Sequence, residues 1–434
     1  MPRRRGRQPP REDAALRNRT TPSTIVGGQS REAGRSGTKT KWRPRSSNGR
    51  RRQGSELSEP FEVVFFGSKR EDDMRKVFPR IKKLLQSILG VTVAGVMMST
   101  AAWAADLPET YVVGVGLNGN TVASYKDEVP FWSKTIPEAS GGKVTAAFSP
   151  QDRMGVKGFQ VMRMVKLGVV DFGAGDVSKM AQDSPVFEGC DLAGLALDIK
   201  TARAVCEAWL PTMSRVAEEL FNTKILAVGT NPPQVIWCRV PISGLDDLKG
   251  KKVRVFNKTM SDFIEAVGGT TISMAFADVV PALQRGVVDC AVTGTMSGFT
   301  AGWPEVSTHQ FQIYMGWSIN YQSVNLDRWN GFSPHLQQFF LEQFDELEDK
   351  MWQTGKEALQ NADFCNFGTG TCPEGTPAKL IKVEVSAADQ ALHKKLMNEV
   401  VLVEWGKRAG LDYAKEWNAT IGKVVGLTIP LDKL

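Results

Sequence analysis

The chain has 434 residues, a formal net charge of +7, three His and six Cys. The charge is lopsided: residues 1–104 carry 23 Lys+Arg against 9 Asp+Glu, while the remainder carries 31 against 38. The basicity is therefore confined to the front, and an acidic main body argues against a nucleic-acid surface there.

Residues 1–73 are rich in Arg, Gly, Ser and Pro with little apolar periodicity. Such a segment buries too little surface to offset its ordering entropy, and reads as disordered or as a spurious upstream extension. A secretory signal follows at 74–104. Arg75, Lys76, Arg80, Lys82 and Lys83 form a positive n-region, Leu84 to Met98 an apolar h-region, and Ala102-Trp103-Ala104 a cleavage site. The apolar run is shorter than the roughly 20 residues that span a bilayer. We expect translation to start at Met74 and the exported chain to begin at Ala105; a signal anchor behind a cytosolic tail is the alternative.

The exported part, 105–434, has a length that favours two lobes. In an oxidising compartment Cys365 and Cys372, which enclose Asn-Phe-Gly-Thr-Gly-Thr, are expected to form a disulfide. Cys238 and Cys290 lie on separate β-like runs, and Cys190 and Cys206 flank a loop and a helix start. The pairing of these four stays open. No Cys–His spacing suits zinc, and His309, His335 and His393 are scattered. No metal and no cofactor is expected.

In chain order, the first lobe opens with a strand over 110–116 and the loop Leu117-Asn118-Gly119-Asn120. A helix over 124–135, a strand over 142–148, a helix over 158–167, a long helix over 200–220 and a strand over 224–228 follow. After Asn231-Pro232-Pro233 a second set begins with a strand over 234–239. Two segments echo each other: Gly168-Val169-Val170-Asp171 and Gly286-Val287-Val288-Asp289. Each reads as a glycine-capped helix end feeding a β-branched strand, which suggests two similar α/β lobes with ligand loops at strand ends. Ile313–Leu326 reads as extended. Ser333-Pro334 starts a helix whose stripe Leu336, Phe340, Phe344, Leu347 and Met351 spans roughly 40 Å if it continues to Gln360. The tail reads as two amphipathic helices, the first capped at Ser386 and Asp389.

No P-loop, G-x-S-x-G elbow or His-x-x-x-His pair occurs, and Gly114, Gly116 and Gly119 lack the order of a dinucleotide loop. The acid pairs Asp246-Asp247 and Glu346-Glu348 read as solvated faces. We expect no enzyme. The informative stretch is Leu245–Gly294, where Arg254 sits in the β-rich run Lys252-Val253-Arg254-Val255. A guanidinium there is costly to bury unless an anion meets it.

This stretch, LDDLKGKKVRV followed by AFADVVPALQRGVVDCAVTG, resembles the second lobe of solute-binding proteins of TRAP (tripartite ATP-independent periplasmic) transporters. The resemblance runs over nearly all of 106–434. It implies a two-lobed α/β periplasmic binding protein, type II-like, with a ligand cleft between lobes and a long helix spanning both. Lobe I would comprise 105–231 and 318–357, and lobe II 232–317 and 358–434. It implies capture of a small organic carboxylate in the periplasm and delivery to TRAP membrane subunits. Arg254 matches the carboxylate-clamping arginine and Phe276 an aromatic wall. Gln234 falls where some relatives carry a second Arg, Thr293 where many carry Asn, and Asn118 at a polar first-lobe position. Ser178, in the Asp176-Val177-Ser178 turn, is expected across the cleft, with Trp317 and Trp237 as further walls. With Gln234 and Thr293 uncharged, Arg254 is expected to be the one strong cation, which favours a monocarboxylate. The alternatives are a periplasmic ligand sensor or an enzyme built on the same fold.

Overall fold

A computed structural model describes residues 107–434. The expectations for the basic segment, the signal sequence and the start at Ala105 lie outside the described residues. The described chain builds two sheets. Strands β1 (Thr110–Gly116), β2 (Val144–Pro150), β3 (Phe172–Asp176) and β4 (Thr223–Gly229) belong to the first. Strands β5 (Gln234–Cys238), β6 (Lys252–Val255), β7 (Thr270–Ser273), β8 (Cys290–Gly294) and β9 (His309–Phe311) belong to the second. Strand β10 (Asn320–Asn325) returns to the first sheet, and β11 (Ile381–Val383) ends the second. The orders are β2-β1-β3-β10-β4 and β11-β9-β5-β8-β6-β7. Each sheet mixes parallel pairs with antiparallel ones: β1 runs parallel to β2 and β3, and β10 antiparallel to β3 and β4. Likewise β6 runs parallel to β7 and β8, and β5 antiparallel to β8 and β9.

The chain crosses between the sheets twice through short extended segments, 230–233 and 312–319. These lie side by side. Asn231 N donates to Trp317 O at 3.2 Å, Gln234 N to Gly316 O at 2.8 Å, and Met315 N to Gln234 O at 2.8 Å. The third crossing is the helix Pro334–Phe367. Ser333 caps it by accepting from Leu336 N, proline occupies its first turn where no N–H is needed, and Gly368 closes it at φ 68°. The helix runs on past Gln360 to Phe367. Its 34 residues make it roughly 51 Å long, more than the expected 40 Å, because the stripe continues through buried Ala358, Ala362 and Cys365. Its first half packs Phe340 and Phe344 against Trp132 and Phe172. Its far end meets the other sheet's elements, where Asn366 Nδ2 donates to Thr295 O at 3.0 Å.

The echoed Gly-Val-Val-Asp segments do the same work in both sheets. Gly168 and Gly286 take φ 65° and 71°. Asp171 Oδ2 accepts from Val113 N at 2.8 Å while Asp171 N donates to Val113 O. Asp289 Oδ2 accepts from Lys252 N at 3.0 Å while Asp289 N donates to Lys252 O. Each aspartate thus pins the entry of a strand, β3 or β8, to its parallel neighbour. Glu348 departs from its expected solvated face: it accepts from Val228 N at 2.8 Å, on β4.

All six cysteines pair: Cys190–Cys206, Cys238–Cys290 and Cys365–Cys372. The third is the expected one, and the second joins directly opposed positions of β5 and β8.

Candidate functional site

A cavity of about 1340 Å³ opens where the strand ends of the two sheets face each other. Arg254, Phe276, Gln234, Thr293, Asn118 and Ser178 all line it. Arg254 comes from β6, between β7 and β8, and is 2% exposed. Its Nε and Nη2 donate to Met274 O at 3.2 and 3.1 Å, and its Nη1 to Val292 O at 2.7 Å. A guanidinium has five N–H bonds, so two remain open. Among the described residues no carboxylate forms an ion pair with it. Burial pushes its pKa down to about 9, opposed only by Asp176. It is therefore protonated at neutral pH, fixed in place by carbonyls, and short of an anion.

Thr293 stands on β8 opposite Val235. Gln234 starts β5 and spends its Nε2 on Pro232 O at 3.0 Å. Phe276 stacks on Trp303, with centroids 5.7 Å apart and planes at 24°. From the first sheet's side, Asn118 lies in the loop after β1. That loop is held by Glu128, whose Oε2 accepts from Leu117 N at 2.8 Å, and by Thr300 Oγ1, which donates to Asn120 O at 3.0 Å. Burial raises Glu128 to about 7. Ser178 N and Oγ donate to Asp176 Oδ1 at 2.8 and 2.5 Å, and Ser318 Oγ donates to Asp176 Oδ2. Ser318 sits in the second crossing at φ 49°, a conformation that non-glycine residues rarely take. Asp191 supports it from below, accepting from Trp317 N at 2.6 Å and Ile319 N at 3.2 Å; burial raises Asp191 to about 8.

Two expected walls are not at the cavity. Trp317 points into the core, where its indole donates to Ala196 O at 2.9 Å. Trp237 lies behind Thr293, donating to that residue's carbonyl at 3.3 Å and packing edge-on against Trp303. In both, the indole N–H needs a buried acceptor, and the chain supplies one away from the cavity. Trp303 is the tryptophan that lines it.

The expectation of a single strong cation also fails. Lys179, one residue past Ser178, lines the same cavity and holds its Nζ 4.5 Å over the centre of the Phe256 ring. Arg254 contacts the same ring at 5.3 Å.

Residues 120–365 match the family model for bacterial extracellular solute-binding protein, family 7. The chain belongs to that family. It is 26% identical over 200 residues to the C4-dicarboxylate-binding periplasmic protein DctP of Rhodobacter capsulatus, covering 44% of this chain and 58% of the relative. Its fold matches the Bordetella pertussis extracytoplasmic solute receptor DctP6, which binds pyroglutamic acid, with a TM-score of 0.64 at 19% identity over 71% of this chain and 99% of the other. It also matches a TRAP periplasmic solute-binding protein from Sulfurospirillum deleyianum with bound succinate, with a TM-score of 0.61 at 19% identity over 72% of this chain and 99% of the other. The family is one of bacterial extracellular solute-binding proteins, and the two-lobed α/β fold is the one shared with these solute receptors.

Sequence reasoning missed Lys179, Phe256, Ser318 and Trp303. For Phe256 a signal existed: it follows Arg254 by two residues, so both side chains fall on one face of the extended run. For Lys179 none did, because only the fold sets the turn after β3 against the end of β6.

Proposed function

We propose that the protein is a periplasmic receptor, not an enzyme, that captures a small organic carboxylate in this cavity and delivers it to TRAP membrane subunits. The carrying observation is Arg254: buried, charged, anchored by two carbonyl oxygens, with two N–H bonds open and no carboxylate paired to it. An acid's carboxylate completes that set in two parallel bonds. Phe276 and Trp303 offer an apolar wall, while Thr293, Gln234, Asn118 and Ser178 offer polar contacts that orient the ligand. The carboxylates bound by the structurally similar receptors support the same class. We assign 105–231 with 318–357 to one lobe and 232–317 with 358–434 to the other, joined by the paired crossings and the long helix. Export through the 74–104 signal belongs to the same reading.

A thermal-shift screen with organic acids tests it. A ligand that binds only the native state raises the melting temperature, and 100-fold saturation gives about 2.7 kcal/mol of stabilisation. Arg254→Ala should abolish the response to every acid that stabilises the wild type. An unchanged response in that variant would remove Arg254 from the site.

A further inference from the structure

Lys179 and Arg254 reach the Phe256 ring from different sides of the molecule. Lys179 stands on the turn Val177–Met180 that follows β3 of the first sheet. Arg254 lies on β6 and Phe256 directly follows that strand, on the side of the second sheet. The two ring distances, 4.5 and 5.3 Å, bound the separation between the lysine Nζ and the guanidinium carbon at 9.8 Å. Two cations in one part-buried cavity repel each other, and the face of one aromatic ring offsets only part of that.

Neither cation finds an ion-pair partner among the described residues. The Lys179 ammonium makes a long bond of 3.4 Å to Phe256 O. The charged groups that act on it are Asp176, Arg254 and Glu188. Asp176 is occupied by Ser178 and Ser318. Glu188 accepts from Lys258 N at 3.3 Å. The neighbouring cavity cations Lys258 and Arg408 share Asp262, at 2.7 and 2.8 Å. Lys157 also lines the cavity but is exposed to solvent, just ahead of the helix Gly158–Lys166. Lys179 and Arg254 are thus the shielded pair left for a ligand, one from the side of each sheet.

We propose that Lys179 is a specificity-determining residue that selects dianionic over monoanionic acids. One carboxylate docks on Arg254, and a second acidic group on the same short ligand docks on Lys179. This rests on the reading of Arg254 given above. It replaces the monocarboxylate expectation, whose premise was a single cation. With a charge-assisted contact of about 2.8 Å at each end, the upper bound set by the ring excludes a long diacid from bridging the two cations and restricts the proposal to short ones.

Calorimetry at neutral pH on the exported chain, with succinate and glutarate against butyrate and valerate, tests the proposal. The diacids should bind the wild type at least about tenfold tighter, the equivalent of 1.4 kcal/mol. Lys179→Met, which keeps the aliphatic stem over the ring, should weaken the diacids about tenfold or more while changing the monoacids less than about threefold. Equal affinity for diacids and monoacids in the wild type overturns the proposal without recourse to any variant, as does failure of all four acids to bind. Equal loss for both classes in Lys179→Met also overturns it, leaving Lys179 as a tie between the lobes. Full diacid affinity in Arg254→Ala would instead overturn the reading of Arg254.

Discussion

The role proposed for Arg254 makes two demands on it, rigidity and open hydrogen-bond donors. Its three bonds to Met274 and Val292 carbonyls fix the plane of the guanidinium before ligand arrives, so little side-chain entropy is lost on binding. Losing such a charge-assisted pair costs about 2–5 kcal/mol, or roughly 30-fold to several thousand-fold in affinity. Arg254→Lys should lose much of this as well, because an ammonium cannot keep the carbonyl bonds and hold a carboxylate through two parallel ones. Titration of both variants with a binding acid measures it, and affinity within threefold of wild type in Arg254→Lys would show that bidentate geometry is dispensable. Gly316 is a second decisive residue. It sits at φ 121°, and a Cβ there would lie 2.9 Å from Asp191 Oδ1. Gly316→Ala should cost about 1–3 kcal/mol through the forbidden backbone angle and the displaced carboxylate. Denaturant melts read this directly, and an unchanged midpoint would mean the crossing relaxes freely. Arg254 was legible in the sequence because a charged residue inside a β-branched run is anomalous by itself. Ser318 and Gly316 were not, since their backbone angles arise from two crossings that pair only in the fold.

The elements of the two sheets were legible wherever a local device sets them. The cap Ser333-Pro334, the capping box at Ser386 and Asp389, and the glycines at 168 and 286 all stand where their chemistry places them. The repeated Gly-Val-Val-Asp was legible as a helix end feeding a strand, but the bonds that its aspartates make were not. Their work is non-local: each bonds a backbone N–H of the neighbouring parallel strand. The glycines of β1, without the order of a dinucleotide loop, have a steric role. Gly116 leaves the space that the Phe148 ring fills, and a Cβ there would also press on Glu128 at 2.6 Å. The aspartates give an element-level prediction. Asp171→Ala and Asp289→Ala leave the N–H of Val113 on β1 and of Lys252 on β6 without a side-chain acceptor, which costs about 1–3 kcal/mol where the group is shielded from water. The sites lie in different sheets, so their effects should add to within about 0.5 kcal/mol. Urea melts of both single variants and the double variant check this. A double variant no worse than either single would show that the two stitches belong to one shared opening.

At the scale of the molecule, the paired crossings and the cavity call for closure, and the buried acids govern when the fold is strongest. A cavity of about 1340 Å³ exceeds the roughly 300–1,000 Å³ of a filled small-molecule site. A bound acid should therefore draw the lobes together about segments 230–233 and 312–319, and small-angle scattering should show a smaller radius of gyration at saturation. An unchanged radius would indicate a rigid site. The same crossings rest on Asp191, one of five carboxylates that burial moves upward among the described residues: Asp127 to about 6, Glu128 and Glu188 to about 7, Asp191 to about 8, and Glu348 in the same direction. Their ordinary values lie near 4, so between about pH 5 and 8 the folded state binds more protons than the unfolded chain. Stability then falls as pH rises through this window, the reverse of ordinary acid denaturation. His393, held below its usual range by burial, opposes this through one group near its lower end. Lys179, lowered to about 8, acts above the window, between its folded value and that of a free lysine. Asp198 and Asp247, whose values are lowered, act below it. The melting temperature should therefore be higher at pH 5.5 than at pH 8, by about 2–4 °C for each kcal/mol of net linkage in a chain of this size. Asp191→Asn should flatten the upper part of that slope, because the amide no longer titrates beneath Trp317 and Ile319. Scanning calorimetry across the window tests both statements. A melting temperature that rises steadily from pH 5.5 to 8 would mean that these acids ionise at their ordinary values despite their burial.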